Sequence, residues 1–238
     1  MITVEVLGSS SKGNCYRLLS GGRSLLLECG LPWKEIRKGL NFQTTALDGC
    51  LVTHHHKDHA RSAADVMRAG VDLYATGAAF EAMAIPGGPH HRFKPLIYRH
   101  TVTVGEWWRV MAFEAHHDAP GTAGFWIEDK DGDKLVFLTD SAFSYYTFPG
   151  TGVYMVEANF SEKILQRNVD DGLVDSYRAR RVTENHMSIE RVVVMFTEAD
   201  LSQCRHIHLL HGSDGNSDSA LFKKIVEETT GVPVTVEG

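Results

Sequence analysis

Four residues able to bind a metal ion fall within a span of six: His54, His56, Asp58 and His59, in the run Thr53-His54-His55-His56-Lys57-Asp58-His59. Imidazole and carboxylate side chains at this density point to transition-metal chemistry. The run is internal, which excludes a terminal tag. A solvated loop is a poor account as well, because the apolar pair Leu51-Val52 leads in and a helical pattern leads out. Ala60, Ala63, Ala64, Val66 and Met67 recur at helical spacing until Gly70. His55 lies between ligands and should face away from them if the stretch stays extended.

Four later residues join this group. His117 follows the apolar stretch Val110–Ala115, Asp140 follows Leu135–Thr139, and His211 follows Ile207–Leu210. His186 precedes a helix at the end of a polar segment. Singly, each reads as a surface residue. Together they match the way an α/β fold gathers a site at the carboxyl ends of its strands. His116 alternates with His117 and is left out, and His208 reads as core or surface.

The elements that must hold these residues come from an ordinary globular composition. The chain has 238 residues, 43% hydrophobic and 23% charged, enough to bury a sizeable core. No apolar run approaches the roughly 18 residues of a membrane span. Met1–Leu7 alternates like a strand and lacks the regions of a signal peptide. A cytoplasmic location without a membrane partner is expected. Cys15, Cys29, Cys50 and Cys204 are scattered without CxxC spacing and are expected to be reduced and buried. The formal charge of −6 argues against a general nucleic-acid coat but not against a nuclease. Affinity for nucleic acid depends on local phosphate contacts. The runs Arg178, Arg180, Arg181 and Arg92, Lys94, Arg99 are candidates for such contacts, though each reads first as a solvated face.

Strands are expected over residues 2–7, 15–19 and 23–27, the last two joined by a Gly21-Gly22 turn. Pro32 opens a helix to Gly39, and the metal motif follows on its strand and helix. Val71–Ala75 is a strand, Thr76 caps a helix over 77–84, and 85–95 is loop by its turn residues. Beyond residue 97 the pattern turns to sheet, with strands at 101–104, 107–115, 124–128, 134–139 and 153–157. Ser161 is expected to cap a helix, residues 168–187 give no clear pattern, and Ser188 caps a helix to Glu198. Residues 207–210 form a strand, Asp218 caps a helix to Thr230, and 232–236 closes the chain. The reading is one α/β domain over residues 1–238.

His54-x-His56-x-Asp58-His59, followed by His117, Asp140 and His211, resembles the metallo-β-lactamase-fold hydrolases over nearly the whole chain. The opening Leu7-Gly8-Ser9-Ser10-Ser11-Lys12-Gly13-Asn14-Cys15 looks like the start of the small phosphodiesterases and DNA exonucleases of that fold. His117-Asp118-Ala119 and Glu157-Ala158-Asn159 fit the same branch. Asn185-His186-Met187-Ser188 with His211 is similar to the arrangement in ribonuclease Z. The resemblance implies an α/β (α+β) four-layer αββα sandwich, two mixed sheets flanked by helices. It implies that His54, His56 and His117 hold one metal, Asp58, His59 and His211 the other, and that Asp140 bridges them. Asp58 and His186 become the catalytic candidates, His186 by protonating the leaving oxygen or clamping a phosphate oxygen. Asp118 is placed to orient His117, and Ser11, Lys12 and Asn14 to contact substrate phosphate. Glu28 stands where the family usually carries Asp to support the metal loop, and Phe160 where related exonucleases often carry a polar residue. The chain has no long insertion resembling the tRNA-holding arm of ribonuclease Z, and it lacks the extra domain of the RNA-cleaving and end-joining branch.

Two divalent ions, Zn2+ or Mn2+, about 3.5–4 Å apart can share a hydroxide and stabilise charge on a phosphoryl group. The expected function is a dinuclear metal-dependent hydrolase of phosphodiester bonds, a nucleic-acid exonuclease using a metal-bridging hydroxide. The alternative is a small-molecule hydrolase on the same metals, cleaving a cyclic phosphodiester, a lactone or a thioester. A non-catalytic metal-binding module is the remote third. A nuclease needs a basic groove at the metals, and a small-molecule enzyme needs an apolar lid; loop 85–95 could serve as lid or strand guide.

Overall fold

Alternating residues at the start of the chain build a hairpin onto which parallel strands are added. The computed structural model describes residues 1–213 and 215–237. One mixed sheet has the order β1-β2-β3-β4-β5-β6, from β1 (Thr3–Gly8), β2 (Cys15–Ser20), β3 (Arg23–Leu27), β4 (Leu47–Leu51), β5 (Leu73–Thr76) and β6 (Phe93–Leu96). The first three strands are antiparallel and the rest run parallel. Gly21 and Gly22 turn the β2–β3 hairpin with φ of 56° and 76°, values that disfavour any residue with a Cβ.

The chain divides into two compact units, and this sheet lies in the first, residues 1–114 with 119–133. The same unit holds an antiparallel meander of β7 (Thr101–Val104), β8 (Trp108–Glu114) and β9 (Ala123–Asp129). The indole Nε1 of Trp108 donates to Asp48 Oδ2 at 2.9 Å, tying the meander to the start of β4. Leu26, Cys29, Cys50, Val52, Val66, Met67 and Leu73 form a core under the metal motif. Of the cysteines, Cys15, Cys29 and Cys50 are buried free thiols as expected, whereas Cys204 is half-buried.

Helix α1 (Trp33–Gly39) follows Pro32, and α4 (Gly77–Ala82) is capped by Thr76, whose Oγ1 accepts from Ala79 N at 3.2 Å. The helix expected after the histidine run is instead two short ones, α2 (Lys57–Ala60) and α3 (Ala63–Arg68). Ser62 separates them because its N–H donates to Cys29 O at 2.9 Å and its Oγ to Leu31 O at 2.7 Å. Residues 85–95 are also more ordered than their turn residues suggest. Phe80 and Phe93 stack at 3.8 Å, and β6 begins inside the segment. Pro95 is tolerated there because, among the described residues, β6 is an edge strand with no further partner to receive an N–H.

The second unit, residues 115–118 with the chain from Lys134 onward, is a parallel βα array. Its strands β10 (Lys134–Leu138), β11 (Val153–Glu157), β12 (His206–Leu210) and β13 (Val234–Val236) pair in that order. Helices α5 (Glu162–Asp170), α6 (Ser176–Asn185), α7 (Ile189–Glu198) and α8 (Ser219–Thr230) connect and follow them. Helix α6 lies in the stretch that gave no clear pattern. It is almost entirely polar and buries no residue, and it is started by Asp175 accepting from Arg178 N at 2.9 Å. Ser161 does not cap α5 with its side chain; its hydroxyl donates to Glu190 Oε1 at 2.9 Å. Among the described residues, no helix is long and apolar enough to cross a membrane.

Glycine at position 30 is fixed by the metal motif itself. A Cβ there would lie 1.7 Å from the backbone oxygen of Asp58, which cannot swing aside. Gly30→Ala should cost about 2–3 kcal/mol of stability and lower the urea midpoint and Tm. Gly77→Ala, which meets nothing within 4 Å at the start of α4, should stay within about 0.5 kcal/mol of the parent. Equal unfolding midpoints for the two variants would refute this account of residue 30.

Candidate metal centre

In the first unit, the ligand run begins where β4 ends. Val52, Thr53 and His54 are fully buried, so the chain enters the motif inside the core. The ring of His54 lies 4.6 Å from that of His56 and 4.3 Å from that of His59, centroid to centroid. Three imidazoles thus converge, with Asp58 Oδ2 3.4 Å from His59 Nε2. Thr53 Oγ1 lies 2.9 Å from His54 Nδ1 and fixes the turn of that ring. His55 sits beside His56, with centroids 4.8 Å apart.

The backbone under this motif is laced to two other loops. Asn14 N donates to Asp58 O at 2.7 Å, Cys29 N to His59 O at 2.8 Å, and Gly30 N to Asn14 O at 2.9 Å. Asn14 differs from the expected substrate contact. Its side chain is fully buried, accepts from Tyr16 OH at 3.1 Å and directs Nδ2 to His59 Nε2 at 3.2 Å. His59 Nε2 therefore faces both this amide and Asp58 Oδ2, and Nδ1 lies on the other side of the ring. Glu28 Oε1 is 3.4 Å from that Nδ1, and both Glu28 oxygens lie 3.3 Å from Thr53 N. Glu28 therefore reaches the metal loop as a supporting carboxylate. Burial pushes its carboxyl pKa up, against the opposing pull of His59 and Thr53. Ser11 and Lys12 remain exposed and line the same surface depression as Asp58.

The second unit gathers the later residues. Asp140 follows β10 and His211 follows β12, and both are nearly buried with left-handed backbone, φ 48° and 56°. Glu28 shares that feature at φ 59°. Such conformations are costly without glycine and mark positions that the surroundings dictate. Ligand atoms of Asp140, Glu157, His186 and His211 all lie within 4.8 Å of one another. Mixed carboxylate and imidazole donors of this kind suit a divalent ion.

Glu157 organises that cluster, and reading the sequence assigned it no role. Its Oε1 lies 2.7 Å from His186 Nδ1 and 3.1 Å from His211 Nδ1. Its Oε2 accepts from Met187 N and Ser141 N, each at 3.2 Å. Burial alone would raise the Glu157 pKa, but His186 and His211 outweigh it and hold the carboxyl below the usual range. For His186, burial opposes the charge, yet Glu157 and Asp140 prevail and raise its pKa. The signal in the sequence was a lone carboxylate ending the otherwise apolar and fully buried strand β11. Asn159, also without an assigned role, donates its Nδ2 to His211 O at 2.8 Å.

His117 completes this half. Its Nδ1 lies 3.1 Å from the carbonyl of Asn185, which can only accept, so Nδ1 carries the hydrogen. Its Nε2 is 3.4 Å from Asp118 Oδ1 and 3.8 Å from Asp140 Oδ2. Asp118 thus flanks the ring, itself held by Arg181 at 3.2 Å. His116 stays outside the cluster, stacked on Phe143 at 4.0 Å with Tyr145 edge-on at 5.2 Å. In metal-free protein, Glu157→Gln should move the His186 titration midpoint down, as read by imidazole proton NMR. Because the folded pKa is raised, His186 adds stability that is fully present below the unfolded pKa and fades as pH rises through the folded one. The Gln variant should lose that fade, and an unshifted midpoint would remove Glu157 as its cause.

Comparison with known proteins bears on the family and the fold. Residues 25–209 match the family model of the beta-lactamase superfamily domain. Exodeoxyribonuclease WalJ of Streptococcus pneumoniae serotype 2 is 30% identical over 177 residues, covering 68% of this chain and 64% of that protein. The match therefore spans a little under two thirds of WalJ. Exodeoxyribonuclease YycJ of Bacillus anthracis is 24% identical over 236 residues, 94% of this chain and 87% of the relative. Among solved structures, the metallo-beta-lactamase fold protein YhfI from Bacillus subtilis aligns with a TM-score of 0.70 at 16% identity, over 99% of this chain and 96% of that one. The shared fold is two mixed β-sheets flanked by helices. The chain belongs to the beta-lactamase superfamily and has the metallo-β-lactamase fold.

Proposed function

We propose that this chain is a metal-dependent phosphodiesterase that cleaves nucleic acid as an exonuclease. The observation that carries the reading is the Asp140–Glu157–His186–His211 cluster, in which carboxylates beside the His186 imidazole raise its pKa. Membership of the superfamily and the likeness to two relatives named exodeoxyribonucleases support it. In this reading His54, His56 and His117 hold one divalent ion, Asp58, His59 and His211 hold a second, and Asp140 serves both. Zn2+ and Mn2+ both suit that donor set. Bound ions of this kind lower the pKa of a coordinated water and stabilise charge on a phosphoryl group.

The protein's own residues supply the rest of the chemistry. Glu157 takes the Nδ1 hydrogen of His186 and stabilises its charge, leaving Nε2–H as the proton for the leaving oxygen. Asn159 fixes the backbone that presents His211, and the Asn185 carbonyl fixes the tautomer of His117. Glu28 braces His59 from the Nδ1 edge of its ring. Asp58 and His186 are the residues placed to act on substrate, with Ser11 and Lys12 as surface contacts.

One feature favours a second reading, a small phosphodiester as substrate. A groove of about 420 Å³ in the second unit is lined by Phe143, Tyr145, Met187 and Met195 among others. An apolar wall of this kind would suit a compact ligand.

Asp140→Ala should abolish turnover of bis-p-nitrophenyl phosphate and of end-labelled DNA while the circular dichroism spectrum is retained. His186→Ala should lower turnover by about 10²- to 10⁴-fold with metal content unchanged by elemental analysis. Loss of an ion in the His186 variant would make it a ligand instead. End-labelled DNA left intact beside rapid hydrolysis of a cyclic nucleotide would favour the second reading.

A further inference from the structure

Most of the cations that the sequence singled out are already committed to carboxylates. Arg92 and Lys94 pair with Asp72 at 3.1 and 3.8 Å, Arg99 with Glu114 at 3.5 Å, Arg180 with Glu184 at 2.7 Å and Arg181 with Asp118 at 3.2 Å. A different set is not. Lys12, Lys57 and Arg61 are exposed and have no ion pair among the described residues. Together with Ser11 and Asp58 they line one open depression of about 530 Å³.

The placement of these cations is set by the fold. Arg61 N donates to Lys57 O at 3.1 Å, so the two side chains stand one helical turn apart on the same face. Like charges at that spacing repel and are mildly destabilising in isolation. Lys12 faces the same depression from the β1–β2 loop, where Gly13 N donates to Ser10 O at 2.9 Å and Lys12 N to Ser10 Oγ at 3.2 Å. Three cations from two segments thus line the same depression as the partly exposed carboxylate of Asp58. Their mutual repulsion is relieved by a ligand carrying several negative charges in a row. Asp58 opposes such a ligand unless its own charge is taken up by a cation.

From this arrangement we infer that the Ser11–Lys12–Lys57–Arg61 depression is a track for the sugar-phosphate backbone of a nucleic-acid strand. The inference rests on the phosphodiesterase reading and gives it a substrate-holding surface beside Asp58. Lysine and arginine here meet phosphates, which position a strand without reading its sequence. The Ser11 hydroxyl adds a neutral donor. Binding through these contacts is therefore sequence-independent, strongly salt-dependent and stronger in the metal-loaded protein.

The test uses the full chain reconstituted with Mn2+ and fluorescent, nuclease-resistant phosphorothioate oligonucleotides of two unrelated sequences, followed by anisotropy. Each of Lys12→Ala, Lys57→Ala and Arg61→Ala should weaken binding equally for both sequences and flatten the plot of log affinity against log salt by about 0.7. The triple variant should flatten it by about 2, so that between 50 and 200 mM salt the parent loses roughly 20-fold more affinity than the triple variant. All four variants should keep the parental Tm, since the side chains are exposed.

A parental slope in the triple variant, or a loss confined to one sequence, overturns the track. So does displacement of the strand by inorganic phosphate at equal concentration, which would make the depression a site for the free anion. Hydrolysis of bis-p-nitrophenyl phosphate in parallel separates the two levels. If the parent hydrolyses it while strand binding ignores the three cations, the track fails and the phosphodiesterase reading stands. If the parent neither hydrolyses it nor binds the strand, both fall.

Discussion

A carboxylate taken out of water costs several kcal/mol unless its lone pairs are met by donors and its charge by cations. Glu157, fully buried at the end of β11, satisfies that demand with two imidazoles and two backbone amides. The four donors come from three places: Ser141 after β10, His186 and Met187 between α6 and α7, and His211 after β12. One buried charge therefore draws the ends of neighbouring strands into register with the start of a helix. The raised pKa of His186 and the placement of His211 both follow from it.

The first unit repeats the device with a different outcome. Glu28 is just as buried, but its contacts to Thr53 and His59 are longer, 3.3 to 3.4 Å. Desolvation then outweighs the attraction, and its carboxyl is shifted up where that of Glu157 is shifted down. Two glutamates at the same depth end with opposite shifts because the number and closeness of donors differ. The longer glutamate side chain at position 28 still touches both the ring and the backbone of the motif it supports.

The candidate ligand residues stood out in the sequence because each interrupts an apolar run. His54 after Leu51-Val52, Asp140 after a strand ending in Leu138, and His211 after Leu210 are polar residues that a buried strand has no other use for. The strands and the caps at Thr76, Ser188 and Asp218 were legible for the same local reasons. What escaped depends on partners distant in sequence. Asn14 reads as a loop contact for substrate phosphate until Tyr16, Asp58 and His59 close around it. Glu157 reads as a strand terminus until His186 arrives from 29 residues away. The break at Ser62 is set by Cys29 and Leu31, and the role of Ser161 by Glu190. Helix α6 was hidden because its ten residues are almost all polar and it buries none of them.

The left-handed backbone at Glu28, Asp140 and His211 bears on how this sequence can change over time. Each of these residues holds a conformation that costs about 1 kcal/mol or more for a side chain with a Cβ. Glycine, and to a lesser degree asparagine, would relieve that strain while removing a carboxylate or an imidazole. Under the proposed function, selection for thermal robustness alone would relieve these positions together with other left-handed non-glycine sites such as Phe42 and Ala84. A laboratory lineage evolved only for heat tolerance would drift toward a sturdier but inert descendant.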